Sequence, residues 1–147
     1  MFKTILIPTD GSPLSRKAAT GGIALAKATG AKIVGLFAAP PATPIIYRDS
    51  MPVGYATPRE HEAIIEKIIE KNLGFVERAA SKAGVPCKVM HVTSDFPDEA
   101  ILKVAKERKC DLIVMGSHGK SGLRGILVGS VTQKVLNQAK IPVMVFR

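Results

Sequence analysis

Short, unbroken apolar runs alternate along the chain with longer stretches in which apolar residues return every three or four positions. Ile5-Leu6-Ile7, Ile33-Val34-Gly35-Leu36-Phe37, Leu112-Ile113-Val114-Met115 and Val143-Met144-Val145-Phe146 are of the first kind. Such runs suit strands covered on both faces, as in a parallel sheet. Cys87-Lys88-Val89-Met90-His91-Val92 mixes polar and apolar residues and reads as a strand nearer an edge. The stretches between them carry helix signals. Ser12-Pro13 supplies an N-cap and a first-turn proline, and Gly30 ends that helix. Thr57-Pro58-Arg59-Glu60 is a capping box. It opens a helix with Ile64, Ile65, Ile68, Ile69, Leu73, Val76, Ala79 and Ala80 on one stripe, stopped by Gly84. Pro97-Asp98-Glu99 opens a third helix through Ala100, Ile101, Val104 and Ala105, and Ser130-Val131-Thr132-Gln133 reads as a second capping box.

The order β-α-β-α-β-α-β-α-β, joined by right-handed crossovers, predicts an open, doubly wound parallel sheet with helices on both faces. The 147 residues suit one domain, 1–147, without internal repeats. Residues 39 to 57, with prolines at 40, 41, 44 and 52, read as a long connection, either a surface excursion or a lid.

Composition narrows the picture. A hydrophobic share of 46% argues for a globular chain rather than a disordered one. No apolar run nears the ~18 residues of a membrane span, so no membrane association is expected. Met1-Phe2-Lys3-Thr4-Ile5 enters a strand directly, without the layout of a secretion signal. Cys87 and Cys110 stand far apart with no CxxC spacing, and read as reduced thiols of a cytoplasmic protein. The net charge of +9 raises the possibility of polyanion binding. Yet Lys67, Lys71, Arg78 and Lys82 are interleaved with Glu62, Glu66, Glu70 and Glu77, as on a solvated helix face. Two tyrosines and five phenylalanines show no stacking pattern, so nucleic acid is not the expected partner.

The chemistry concentrates at two strand ends. The first strand runs into Pro8-Thr9-Asp10-Gly11-Ser12, and the fourth into Met115-Gly116. Open α/β sheets bind ligands outside the carboxyl ends of strands where the winding reverses. Five glycines lie between Gly116 and Gly129. They do not make a Walker A loop, whose first glycine would fall on Val114, and no Gly-x-Gly triplet is present. The segment instead leaves a strand and enters a helix at Gly129-Ser130, where free N–H groups form an anion site. Gly116, Gly119 and Gly129 let the backbone approach phosphates, Ser130 and Thr132 offer hydroxyls, and Lys120 and Arg124 offer charge. The same glycines also serve turns, and on the residues alone the two readings stand side by side. His118 reads as a loop histidine bonding backbone or ligand rather than a catalyst, since neighbours on a turn such as Ser117 often point away.

Gly116-x2-Gly119-x9-Gly129-Ser130 resembles the G-x2-G-x9-G-[ST] pattern of ATP-binding universal stress proteins. Ile5-Leu6-Ile7-Pro8-Thr9-Asp10-Gly11-Ser12, Cys110 through Gly119, and Pro142-Val143-Met144-Val145 are similar to that family as well, so the likeness spans essentially the whole chain. It implies a Rossmann-like sheet of the adenine nucleotide alpha hydrolase type, strand order 3-2-1-4-5, and usually a homodimer. It also implies ATP, or ADP or AMP, bound between the ends of strands one and four with Mg²⁺. Pro8, Thr9 and Asp10 would then line the adenosine side, and Ala38 would offer backbone groups to adenine. Met115, Gly116, His118 and Gly119 would border the ribose and first phosphates. Gly129, Ser130, Val131 and Thr132 would hold the outer ones. Ala38 stands where a larger aliphatic is common, which implies looser packing on the base, and Gly122 and Gly125 imply a more mobile phosphate loop.

The function so implied is a nucleotide-dependent regulatory or stress-response protein acting on a protein partner, with turnover slow or absent. Paired carboxylates near the loop and a Walker-type lysine are both missing from the sequence, which argues against the alternative of an ATPase or ATP-using transferase. Cyclic AMP binding is a further alternative, as is a scaffold whose site stays empty. The uncharged Pro142-Val143-Met144-Val145-Phe146 run predicts an edge that pairs with a second copy.

Overall fold

The structure is a computed structural model that describes residues 1–41, 57–119 and 128–147, together with the backbone of 45–48 and 51–55. Its main sheet holds β1 (Thr4–Pro8), β2 (Lys32–Ala39), β5 (Cys87–Thr93), β6 (Leu112–Gly116) and β7 (Val143–Phe146). All neighbours are parallel, in the order β5-β2-β1-β6-β7. In terms of the five strands expected above, this is the order 3-2-1-4-5. The most apolar run lies in the centre and the mixed Cys87–Thr93 strand lies at an edge.

Strand alternation sorts the core into two layers. Ile5 and Ile7 of β1 pack with Val114 against α1 (Pro13–Thr29) and α2 (Pro58–Ala83). Leu6, between them, points to the other face with Ile113 and Met115, against α3 (Pro97–Glu107) and α4 (Ser130–Gln138). Ile5, Leu6 and Ile7 are fully buried, each contributing roughly 1.5–3 kcal/mol by leaving water. At the amino end of the sheet, Asp111 accepts from the N–H of Lys3 (2.8 Å) and of Thr4 (3.0 Å). That carboxylate ties the entry of β1 to the entry of β6.

Local chemistry sets the helix ends. Ser12 accepts from the Ser15 N–H, and Gly30 closes α1 in a left-handed conformation. Thr57 and Glu60 form the reciprocal box that opens α2. At α4 the expectation is corrected. Gly129 is the N-cap, Ser130 is the first helical residue, and no side chain caps the end. The ladder starts one residue earlier, with Gln133 N–H donating to Gly129 O at 2.9 Å.

The connection after β2 contains more than the loop expected from the sequence. It carries β3 (Ile45–Arg48) and β4 (Met51–Tyr55), paired antiparallel as a separate ribbon with a register shift between Ile46 and Tyr47. Two β-prone runs flanking Asp49-Ser50 are hairpin chemistry, and the prolines masked that signal in the sequence.

Candidate functional site

The winding reverses between β1 and β6. The chain leaves β1 for α1 on one face and leaves β6 for α4 on the other, so the carboxyl ends of these neighbours part and open a crevice. Its volume is about 720 Å³, within the range of small-molecule sites. Every site residue expected from the sequence lines it: Pro8, Thr9, Asp10 and Ala38, then Met115, Gly116, His118 and Gly119, then Gly129 through Thr132. Lys120, Gly122, Arg124 and Gly125 lie outside the described residues.

The floor is held by backbone and hydroxyl bonds. Thr9 N–H donates to Leu36 O at 2.8 Å. The Thr9 and Ser15 hydroxyls lie 3.1 Å apart, and Thr9 Oγ1 accepts from Gly11 N–H. Thr9 therefore shapes the wall while its hydroxyl is spent internally. Asp10 accepts from Ser12 N–H at 3.0 Å, which folds the turn into α1. Its other oxygen reaches the far bank, where a Cβ on Gly119 would overlap it.

Ala38 presents backbone. On β2, Leu36 O serves Thr9 on the β1 side, while Ala39 O accepts from Ser94 N–H on the β5 side. Alternation turns the N–H and C=O of Ala38 toward the β1 side, beyond the point where β1 has ended. A strand edge with one donor and one acceptor thus faces the crevice.

The opposite bank is a clamp. Gly129 N–H donates to Ser117 O at 2.6 Å, Ser117 N–H to Phe146 O at 2.7 Å, and Thr132 Oγ1 to Gly116 O at 2.8 Å. Two expectations change here. Gly129 spends its N–H on the clamp and has none for a ligand, and the Thr132 hydroxyl is buried and engaged as well. The N–H groups of Ser130, Val131 and Thr132 precede the first ladder bond of α4. With no capping side chain, they and the positive end of the helix dipole face the crevice. Gly129 is glycine for lack of room, because a Cβ would lie 3.2 Å from Ser117 O and 3.4 Å from His118 Cα. Its φ of −70° needs no special residue.

His118 does not point away from its neighbour: Ser117 Oγ and His118 Nδ1 are 2.8 Å apart. Ser117 is 1% exposed, so this hydroxyl orients the imidazole and is sealed from any substrate.

Several lining residues escaped sequence reasoning: Ser15, Phe37, Ile68, Asn72, Ser94, Asp95 and Ile101 among them. Asn72 left a readable signal. It is polar, four residues from both Ile68 and Val76, in the middle of the apolar stripe of α2, and it is buried.

The cysteines lie elsewhere. Burial first, then Glu77, pushes the Cys87 thiol from 9.0 up to about 11; burial, then Asp111, does the same to Cys110. Raised values mean that the unfolded thiols ionise first as pH rises. Stability should therefore fall between pH 9 and about 11. A Cys87→Ala, Cys110→Ala double variant should show a shallower fall in thermal melts across that window.

A parallel doubly wound domain, with its crevice at the switch point and an uncapped helix end opening into it, is the class that fold and site define. The chain belongs to the universal stress protein family, whose pattern matches residues 1–147. It is 34% identical to universal stress protein MJ0531 of Methanocaldococcus jannaschii, over all of this chain and 83% of that one. Among solved structures it is similar to MJ0577, a universal stress protein of the same organism. That match has a TM-score of 0.74 and 28% identity, covering 99% of this chain and 96% of the other. A universal stress protein in complex with cAMP matches with a TM-score of 0.68 and 26% identity, covering 99% and 97%. Among the described residues, no helix is long and apolar enough to cross a membrane.

Proposed function

We propose that the chain binds an adenine nucleotide, ATP foremost, in this crevice and acts as a cytoplasmic, nucleotide-dependent regulator with slow or no turnover. The observation that carries the reading is the pairing of two ends within one crevice. Ala38 offers a donor and an acceptor suited to a base edge, and the α4 N-terminus offers amides suited to phosphate. The cAMP-bound relative supports an adenine-containing ligand. Among the described residues no group of three metal-binding side chains occurs. Mg²⁺ would therefore come on the phosphates, which suits an ion that keeps several waters and takes one or two carboxylates. Asp10 lines the same crevice, and the ion would neutralise phosphate charge. Cyclic AMP is the second reading, favoured by the same relative.

Mass spectrometry of ligand released from the purified, denatured protein, followed by titration with ATP, ADP, AMP and cAMP with and without Mg²⁺, tests both. Binding of none of the four removes the reading. Tighter binding of cAMP than ATP replaces it with the second.

Ser130 gives a finer check. It is exposed and does not cap α4, so Ser130→Ala should leave the melting temperature unchanged. ATP affinity should fall by less than about tenfold, the worth of one hydrogen bond. A clear drop in melting temperature would restore the hydroxyl as a cap.

A further inference from the structure

Asn72 lies on the buried stripe of α2, in the crevice wall beside the β1–α1 turn. It is 2% exposed, and its Nδ2 is buried without a hydrogen-bond partner. A buried amide donor left unmatched destabilises a fold, so such groups usually have a partner. The nearby hydroxyls are engaged elsewhere: Ser15 Oγ donates to Ser12 O at 2.9 Å, and Thr9 Oγ1 lies 3.1 Å from Ser15 Oγ. Nearby, the backbone makes room for the carboxamide. Gly11 has a φ of +79°, and a Cβ there would overlap the Asn72 side chain, with Cγ at 2.9 Å. A leucine or valine at position 72 would have filled the stripe at no polar cost.

We infer that Asn72 is a ligand-reading residue, donating a hydrogen bond to a ring nitrogen or ribose oxygen of the bound nucleoside. This rests on the nucleotide reading above and assigns one more contact within it. A half-turn about the Cβ–Cγ bond exchanges the amide oxygen and nitrogen, so the donor follows whichever side offers an acceptor. Location selects the nucleoside end. Asn72 belongs to the α1–α2 layer beside Asp10 and Gly11, whereas the phosphate-binding amides belong to α4 on the opposite face.

The test is calorimetric titration of wild type and Asn72→Leu with adenosine and with ATP, beside thermal melts of the ligand-free proteins. The expected result has opposite signs. The leucine variant melts no lower than wild type, because an unmatched donor has gone, yet it binds both ligands about three- to tenfold more weakly. A structural asparagine would instead lower the melting temperature and leave affinity alone, which overturns the inference. So does a loss seen with ATP but not with adenosine. In isotope-labelled wild type the Asn72 side-chain amide resonances should shift on saturation with adenosine; unchanged resonances overturn the assignment even if the variant does not fold. Wild type that binds neither adenosine nor ATP removes the nucleotide reading itself, an outcome distinct from a variant that binds as wild type does.

Discussion

Gly129→Val should lower ATP affinity by roughly a hundredfold, about 2.7 kcal/mol, far more than any single side-chain deletion in the phosphate region. The cause is position. The first added carbon would already sit 3.2 Å from Ser117 O and 3.4 Å from His118 Cα, so the two valine methyls would push on backbone. Separating those ends breaks the 2.6 Å bond from Gly129 to Ser117 and rotates the three open amides of α4 away from their common target. Overpacking of this kind should also lower stability by roughly 1–3 kcal/mol, so melts must accompany the titrations. Lys120→Ala, which removes one charge, should weaken ATP by less than about tenfold. A folded Gly129→Val protein with wild-type ATP affinity would falsify the phosphate-cradle reading.

The second large effect is on assembly. β7 is an edge strand of four apolar residues, and Met144 on it is 38% exposed. Leu136 of α4 is also exposed, at 43%. An uncharged edge invites pairing with another chain, and two copies about a two-fold axis would pair β7 antiparallel and close the assembly. Val145→Glu should convert a dimer into monomer or aggregate, read by sedimentation at micromolar concentration. Wild-type protein that sediments as monomer under those conditions refutes the proposed homodimer.

What the sequence made legible was chemistry settled within a few residues. Ser12, Thr57, Gly30 and Gly84 announce helix ends because a cap involves only its own turn. The apolar runs announce central strands because burial on both faces leaves no room for polar alternation. The spacing of Gly116, Gly119 and Gly129 made part of the crevice legible through the family likeness it carries, and that likeness implied Pro8, Thr9, Ala38 and His118. The features that were missed depend on contacts distant in sequence or on a shift of one residue. The partner of the Thr132 hydroxyl is Gly116 O, sixteen positions away, a bond that ties the start of α4 to the end of β6. The role of Gly129 as a spacer against Ser117 shows only when the strand end and the helix start are brought together. Asn72 left a local mark as a polar residue in an apolar stripe, but its place in the wall comes from packing of α2 over β2 and β5, with its side chain against Gly11.

The crevice is walled by both helical layers, α2 on one face and α3 and α4 on the other. Anything seated there is a rivet between two halves that otherwise meet through the sheet. If each half opens with its own free energy when the crevice is empty, a shared occupant would make the openings cooperative. Backbone amides of α2 and α4 should then slow together in hydrogen exchange on saturation, though the two helices lie on opposite faces. Occupancy would be broadcast as stiffness rather than as a change of shape, and a partner sensitive to stiffness could read it from either side of the molecule.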